Sequence, residues 1–401
     1  MDFFCGAGGT TRGLIDAGGY VIAGVDKTGD CRETYERNNT NKSLIKANAR
    51  YLQMDIFDKT ETYPDGQADE LLLELHSMID FYRSRNPEIP LLFSICAPCQ
   101  PFTDLHRSEL SCDRLASRER DQGLLNQTFK FVQEFRPEMV LSENVAGIQA
   151  PKFGGVWQEF ESRLRSAGYA VGSSIVDCSR FGIPQFRKRS IMLGVHKTMC
   201  DPQIIANDGN ANDYLIVPSC DPNSAVMTVK EAIGHFPPIE AGESNSKFAN
   251  HTAAKLAEIN KKRLRAVVPG GTNLGFDEEL TLACHDRTRS KSCAKGFSDV
   301  YTRMSPDKPA PTITTRCTSI SNGRFGHFDP EQARGISVRE AAALQSFPDD
   351  YVFYGGLCAS AKMVGNAVPP KLSQFFANYM LSALRSDNAP IIMQHCENLA
   401  A

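Results

Sequence analysis

The chain has 401 residues, enough for two domains or for one large domain with an insertion. Hydrophobic residues make up 41% and charged residues 23%, so a sizeable core is possible, and the net charge of −3 leaves only local patches for nucleic-acid binding. The thirteen cysteines, an odd number without a secretory signal, favour reduced thiols and a cytoplasmic protein. No apolar run approaches the roughly 18 residues of a membrane span.

The amino-terminal residues predict a short strand, a glycine-rich turn and a helix. The turn contains Gly6, Gly8 and Gly9, and its G-x-G-G spacing differs from the G-x-G-x-x-G of dinucleotide-binding enzymes. Glycines let a ligand approach the backbone closely, and a helix amino terminus favours polar or anionic groups. A turn that binds no ligand is the alternative interpretation.

Acidic residues follow the next two predicted strands. Asp26 ends the apolar strand Tyr20–Asp26 and lies 20 residues after Gly6, a spacing that suits a carboxylate accepting from ribose hydroxyls. A helix cap is the alternative, but the pairing with the glycine turn favours a ligand. Asp55 follows a weaker strand and either meets an adenine amino group or caps the next element. The sequence leaves both interpretations of Asp55 open.

The most informative stretch is residues 91–102. Its apolar part, Leu91–Ile95, predicts a buried parallel strand, and two prolines fix the backbone on either side of Cys99. Ligands bind at the carboxyl ends of strands in open α/β sheets, so Cys99 is a candidate nucleophile. A buried core cysteine and a redox pair with Cys96 are alternatives. Half of a zinc site is a third, which no second C-x-x-C completes.

A polar, arginine-rich segment, residues 103–122, follows this cysteine and predicts either a solvated loop or a mobile lid that meets phosphates. A second apolar strand, Pro137–Val145, contains the polar pair Glu143 and Asn144 near its end. Glu143 would lie beside Cys99 at the sheet edge, where a carboxyl group is a candidate acid. A surface glutamate at a strand end is the alternative.

Gln185, Arg187 and Arg189 alternate, so their side chains share one face if the segment is a strand. Two guanidinium groups on that face would bind a phosphate or steady an anion. Basic strand edges also occur for solubility alone. The segment therefore predicts either an anion-binding face or an ordinary protected edge.

The pattern changes near His196, where we place a domain boundary. From Lys255 to Arg316 the chain has 12 lysines and arginines against 7 acidic residues. This local excess of cations leaves a solvated face and a nucleic-acid contact about equally favoured. Beyond it, Ser337 predicts a capped helix with Glu340 three residues later, and a last helix is predicted over Lys371–Leu384.

Taken together, these motifs resemble the DNA (cytosine-5)-methyltransferases over nearly the whole chain. Six segments match in the order of the family: Asp2–Gly9, Pro98-Cys99-Gln100, Glu143-Asn144-Val145, Gln185–Arg189, Arg339–Ala342 and Gly365–Val368. One such motif has little specificity, but six in order are very specific. The resemblance selects Cys99 over Cys96, because only Cys99 lies in the Pro-Cys-Gln motif.

The resemblance implies an α/β fold with a Rossmann-like, doubly wound sheet, as in class I methyltransferases that use S-adenosyl-L-methionine. It also implies an inserted, smaller target-recognition domain. The catalytic domain would span residues 1–195 and the target-recognition domain 196–353. Residues 354–401 would form a C-terminal segment that returns to the catalytic domain.

The mechanism that the resemblance implies uses the thiolate of Cys99, which adds to carbon 6 of a flipped-out cytosine so that carbon 5 can accept a methyl group. Glu143 would hold ring nitrogen 3, and Arg187 or Arg189 would lower the pKa of the thiol. No metal is implied. The cofactor-binding residues would be Phe4, Gly6, Gly8, Asp26, Asp55, Asn366 and Val368.

The expected partners are double-stranded DNA and a cognate restriction endonuclease without a stable complex, and the expected form is a monomer. A methyltransferase acting on cytosine in tRNA and an inactive DNA-binding protein on the same scaffold are alternatives. A nicotinamide-dependent oxidoreductase would explain only the glycine turn. Two features depart from the family: the chain starts almost on the first motif, which predicts a short first strand, and Asp26 stands where glutamate is usual.

Overall fold

The chain divides into two compact units. The computed structural model describes residues 1–43, 46–98, 123–153, 155–207, 213–282 and 297–384. The first unit comprises Met1–Asp177, Lys188–Pro222 and Leu372–Ala401, and the second comprises Cys178–Arg187 and Asn223–Lys371.

Three of the predicted features lie wholly or partly outside the described residues: Cys99, the arginine-rich segment 103–122, and residues 283–296 of the cationic segment 255–316. The roles predicted for residues 1–195, 196–353 and 354–401 stay predictions. None of the helices in the described ranges is both long enough and apolar enough to span a membrane.

The first unit is built on a seven-stranded sheet, counted over the described ranges. The strands are β1 (Asp2–Phe3), β2 (Ala23–Asp26), β3 (Arg50–Gln53), β4 (Leu92–Ile95), β5 (Met139–Val145), β6 (Tyr169–Asp177) and β7 (Lys188–His196). Their order is β3-β2-β1-β4-β5-β7-β6, in which β1 to β5 are parallel and β7 is antiparallel to both neighbours. This mostly parallel sheet, connected through helices, confirms the predicted Rossmann-like α/β fold.

The helices connect the strands and also form part of the second unit. They are α1 (Gly9–Asp16), α2 (Arg32–Asn38), α3 (Ala68–Arg83), α4 (Phe129–Phe135), α5 (Val156–Ser166), α6 (Val229–Ile233), α7 (Glu258–Ala266), α8 (Val338–Leu344), α9 (Leu357–Asn366) and α10 (Pro370–Ser382). A separate two-stranded sheet joins β8 (Ile205–Asn207) to β9 (Asp213–Leu215).

Aromatic side chains pack the sheet of the first unit against a helix. Phe3 on β1 lies with its ring centroid 5.2 Å from that of Phe93 on β4 and 5.4 Å from that of Phe131 on α4. All three side chains are fully buried. Such ring pairs contribute about 0.5–1.5 kcal/mol beyond the burial of their area. This packing fixes the two-residue strand β1, and the short first strand expected from the sequence is confirmed.

The second unit has little regular structure and is held together by buried arginines. Arg303 is fully buried, and its guanidinium group donates to the carbonyl oxygens of Leu264, His327, Asp329, Pro330 and Gln332. Arg334 donates through two nitrogens to the two carboxylate oxygens of Glu340, each at 2.7 Å. Glu340 also completes the capping box with Ser337, as the sequence predicts.

Two of the described arginines in the cationic segment 255–316 are buried. Arg263 is 7% exposed and donates from Nε to the carbonyl oxygen of Leu280, while Arg303 is fully buried. These two arginines serve the packing of the second unit. Lys262 and Arg265 on α7 are exposed and remain available to a polyanion.

The prediction that Gln185, Arg187 and Arg189 share one face of a strand is wrong. Strand β7 begins at Lys188, so the first two residues precede it and belong to the second unit. All three side chains are buried, which also excludes a solvated basic edge. The alternation reflects separate packing requirements rather than one strand face.

The buried carboxyl group of Asp2 should make the stability of the protein depend on pH. It is fully buried on β1 and accepts a hydrogen bond of 2.7 Å from the Thr11 hydroxyl. Burial raises the pKa of Asp2 from 3.8 to about 6. The folded state therefore holds this proton more tightly, so the free energy of unfolding should fall by up to about 3 kcal/mol as pH rises from about 4 to about 6.

Asp2→Asn cannot ionise but keeps an oxygen for Thr11, so we expect it to remove that part of the pH dependence and to be more stable than wild type above pH 6. Urea unfolding at a series of pH values measures both effects. Asp30→Asn, at an exposed position, is the matched control and should keep the wild-type dependence. An unchanged slope in Asp2→Asn would contradict the assignment.

Candidate active site

Parallel pairing brings the predicted site residues of the first unit to one edge of the sheet. Asp2 pairs with both Gly24 and Ser94, and Ile95 pairs with Ser142. The segments that follow these strands therefore leave the sheet at the same edge. Glu143, one residue beyond Ser142, is level with the turn that follows β4.

The glycine-rich turn after β1 is open on one side. Phe4, Gly6 and Gly8 have φ angles of 60°, 48° and 88°, values that L-residues with side chains rarely adopt. A Cβ added at Gly6 would have no atom within 4 Å. The turn thus leaves a backbone-lined space into which polar ligand groups fit.

Asp26 is bonded directly to this turn. The Gly6 amide donates to Asp26 Oδ2 at 3.0 Å, and the Thr28 amide donates to Oδ1 at 3.1 Å. Burial raises the pKa of Asp26, while these amide donors act in the opposite direction. The carboxylate therefore fixes the turn. The helix-cap alternative is wrong, because α2 begins at Arg32 with Cys31 as its N-cap, and the contact of Asp26 with ribose stays a prediction.

Asp55 lies just past the end of β3, with a side chain only 5% exposed. Its Oδ1 accepts from the Phe57 amide at 3.2 Å, and its Oδ2 is 3.0 Å from Lys27 Nζ. The Phe57 contact closes a local turn and caps no helix, because α3 begins only at Ala68, and the adenine contact of Asp55 stays a prediction. Lys27 has no signal in the sequence, because a lone lysine after a strand is an ordinary surface residue.

Cys96, the first cysteine of the C-x-x-C, is a poor nucleophile. Its Sγ lies 3.6 Å from the Ser94 hydroxyl and 3.8 Å from the Thr10 hydroxyl. Desolvation, with the negative charge of Glu143 as a smaller contribution, raises the pKa of Cys96 to about 12. A thiol that stays protonated at neutral pH does not attack, which leaves Cys99 as the reactive candidate of the pair.

Glu143 and Arg189 form a buried ion pair across β5 and β7. Val145 pairs with Arg189 in the antiparallel register, so Glu143 lies on the same face, two residues away. Arg189 Nε is 2.7 Å from Glu143 Oε1, and the two residues are 7% and 9% exposed. The arginine therefore orients the carboxyl group and compensates its charge.

Polar side chains on β5 hold the turn that leads to Cys99. Asn144 Nδ2 donates to the Ala97 carbonyl oxygen at 3.0 Å, and its Oδ1 accepts from the Val145 amide at 2.9 Å. The Ser142 hydroxyl donates to the Ile95 carbonyl oxygen at 2.6 Å. These side chains of β5 therefore fix the backbone that precedes Pro98, a role that the sequence did not predict for Ser142 or Asn144.

Arg187 occupies a different environment, inside the second unit. Its guanidinium group donates to the carbonyl oxygens of Ile313 at 2.9 Å and Gly365 at 3.2 Å. Asn366, the last residue of α9, is exposed, and Val368 is 9% exposed. The catalytic role of Arg187 and the cofactor-binding roles of Asn366 and Val368 stay predictions.

Comparison with known proteins decides the family. The model of the C-5 cytosine-specific DNA methylases matches residues 74–382, more than half of the chain. The chain belongs to this family. The methylase is 32% identical to the Type II methylase M.HgiDII of Herpetosiphon aurantiacus, over 94% of its own length and 93% of that protein. Its activity is therefore methyl transfer to carbon 5 of cytosine in DNA.

A second relative and a solved structure are also similar to this chain. The methylase is 28% identical to the Type II methyltransferase M1.HphI of Haemophilus parahaemolyticus, over 95% of its own length and 86% of that protein. Its structure superimposes on a prophage-encoded protein of E. coli with a TM-score of 0.64 at 20% identity, covering 95% and 98% of the two chains. The structural likeness supports the fold alone.

The buried ion pair predicts a specific loss of stability. Arg189→Met should leave the Glu143 carboxylate buried without its cation and lower the free energy of unfolding by about 3–5 kcal/mol. Arg163→Met removes an arginine from Glu159 at the same distance of 2.7 Å, but both side chains of that pair are about half exposed. This control should lose less than about 1 kcal/mol in urea unfolding. Equal losses in the two variants would contradict a buried, oriented pair.

Proposed function

We propose that this methylase acts through a covalent adduct between Cys99 and a cytosine flipped out of double-stranded DNA, with S-adenosyl-L-methionine as methyl donor. The observation that carries the proposal is Glu143. Its carboxyl group is fixed by Arg189 level with the turn that leads to Cys99. A thiol and an oriented carboxyl at one sheet edge are the two groups that cytosine activation requires.

The proposed reaction begins with addition, because carbon 5 of cytosine is a poor nucleophile. The Cys99 thiolate forms a bond to carbon 6, and the electron pair of the ring double bond becomes available at carbon 5. When bound, S-adenosyl-L-methionine supplies an electrophilic methyl group to that carbon. A base then removes the carbon 5 proton, the sulfur–carbon bond breaks, and the ring double bond reforms while Cys99 leaves as thiolate.

Glu143 offsets the negative charge that builds on the ring during addition. Its carboxyl group, protonated for this step, would donate its proton to ring nitrogen 3 during addition and take it back when Cys99 leaves, while Arg189 holds the other side of the carboxyl group. The target atoms are inaccessible inside a duplex, so the base must leave the stack. A carboxyl group that is oriented by a buried arginine, as Glu143 is, fits this role better than a carboxyl group on the surface.

The residues of the glycine turn fit the proposed methyl donor. The open side of the turn at Gly6 would take the methionine part, with Phe4 and Gly8 shaping the same turn. Asp26 is an acceptor for ribose hydroxyls, and Asp55 is an acceptor for the adenine amino group. The two acids follow adjacent parallel strands, as a nucleoside spanning them would require.

The biological role that we propose is modification within a restriction–modification system. Both curated relatives described above are named as Type II enzymes. We expect the methylase to act as a cytoplasmic monomer that shares a DNA target with a cognate endonuclease and forms no stable complex with it.

A duplex containing 5-fluorocytosine tests substrate and nucleophile together. Fluorine at carbon 5 blocks the final elimination, so wild type with S-adenosyl-L-methionine should form a covalent complex that survives denaturing electrophoresis. Cys99→Ala should form none. Cys96→Ala is the matched control and should trap DNA like wild type, because its thiol stays protonated.

The DNA must present many sequences, since the target site is unknown. An adduct in Cys99→Ala, or its loss in Cys96→Ala, would reject the assignment of the nucleophile. Trapping on fluorinated tRNA with none on DNA would favour the tRNA enzyme. Tight DNA binding without methyl transfer at saturating methyl donor would favour the inactive scaffold.

A pair of glycine variants tests the methyl donor site. Gly6→Ala should raise the KM for S-adenosyl-L-methionine about tenfold or more, because the added methyl group enters the proposed binding space. Gly18→Ala carries the same kind of strain, with φ of 88° and no atom within 4 Å of the added Cβ, at the end of α1. This control should lose stability by about 1 kcal/mol or more without a change in KM. Equal KM values for the two variants would place the donor elsewhere.

A further inference from the structure

Lys27 and Asp55 form an asymmetric ion pair at the proposed cofactor edge. Lys27 Nζ lies 3.0 Å from Asp55 Oδ2, and the lysine side chain is 49% exposed whereas the aspartate side chain is 5% exposed. Ion pairs in which both groups are exposed contribute little to stability. Here the carboxylate is buried, so the neighbouring cation has a larger effect on its orientation.

The backbone around Lys27 is fixed on both sides. The Met54 amide donates to the Asp26 carbonyl oxygen at 3.0 Å, which joins the end of β2 to the end of β3. The Tyr51 hydroxyl donates to the Thr28 carbonyl oxygen at 2.6 Å. The backbone of Lys27 is therefore held in place between Asp26 and Asp55, the two proposed nucleoside contacts, unlike that of a lysine in a loop without such hydrogen bonds.

We propose that Lys27 is a positioning residue for the methyl donor: its ammonium group holds the Asp55 carboxylate in the orientation that accepts the amino group of adenine. This inference rests on the proposed function, because it takes Asp55 as the adenine acceptor. The Phe57 amide donates to one carboxylate oxygen and Lys27 contacts the other, so the two groups together fix the orientation of the carboxylate.

Removing the ammonium group tests the proposal. Lys27→Met keeps a stem of similar length and should weaken the binding of S-adenosylhomocysteine, measured by titration calorimetry, by about fivefold or more. The KM for S-adenosyl-L-methionine should rise by a similar factor, with kcat unchanged at saturation. Lys27→Arg, which keeps the cation, should stay within about twofold of wild type.

An analogue of S-adenosylhomocysteine with unsubstituted purine in place of adenine separates positioning from general electrostatics. It lacks the amino group, so wild type and Lys27→Met should bind it equally. A similar loss for both ligands in Lys27→Met would overturn the proposal, because the lysine would then act on the pocket as a whole.

Asp55→Leu, which has a similar size but no acceptor, separates failure of this inference from failure of the proposed function. If Asp55→Leu weakens S-adenosylhomocysteine binding but Lys27→Met does not, the lysine has no positioning role and the cofactor site stands. If Asp55→Leu has no effect, the adenine contact of the proposed function is wrong and this inference falls with it.

Discussion

Parallel pairing of β1 to β5 is the constraint on which the candidate site depends. The carboxyl ends of parallel strands lie at the same edge of the sheet, so polar residues that are far apart in the sequence come together at that edge. The turn after β1, the acids after β2 and β3, and the turn after β4 all follow from this rule. β7 then enters antiparallel beside β5, and its register places Arg189 on the face of Glu143.

The site is stabilised by contacts that run between these connections rather than within them. Asp26 accepts a hydrogen bond from the glycine turn, Lys27 forms an ion pair with Asp55, and Asn144 donates a hydrogen bond to the turn after β4. In each case a side chain from one connection or strand fixes the backbone or the carboxylate of a neighbouring one. The two-residue strand β1 is long enough to position the turn that follows it, because it pairs with β2 on one side and β4 on the other.

Much of the fold was predictable because local patterns agree with it. The apolar run before Cys99 became β4, and Ser337 with Glu340 formed the expected capping box. The arginines were harder to interpret. Charge suggests exposure, but the irregular second unit leaves many carbonyl oxygens without helical or sheet partners. Arg187 and Arg303 are buried and donate hydrogen bonds to such carbonyl oxygens. This outcome depends on tertiary structure, so the spacing of residues in the sequence does not predict it.

The environment of Cys96 has a consequence for the chemistry of its neighbourhood. Its protonated thiol reacts slowly with alkylating reagents and peroxides, which require the thiolate. Electrophilic probes or inhibitors directed at this turn would therefore react slowly with Cys96.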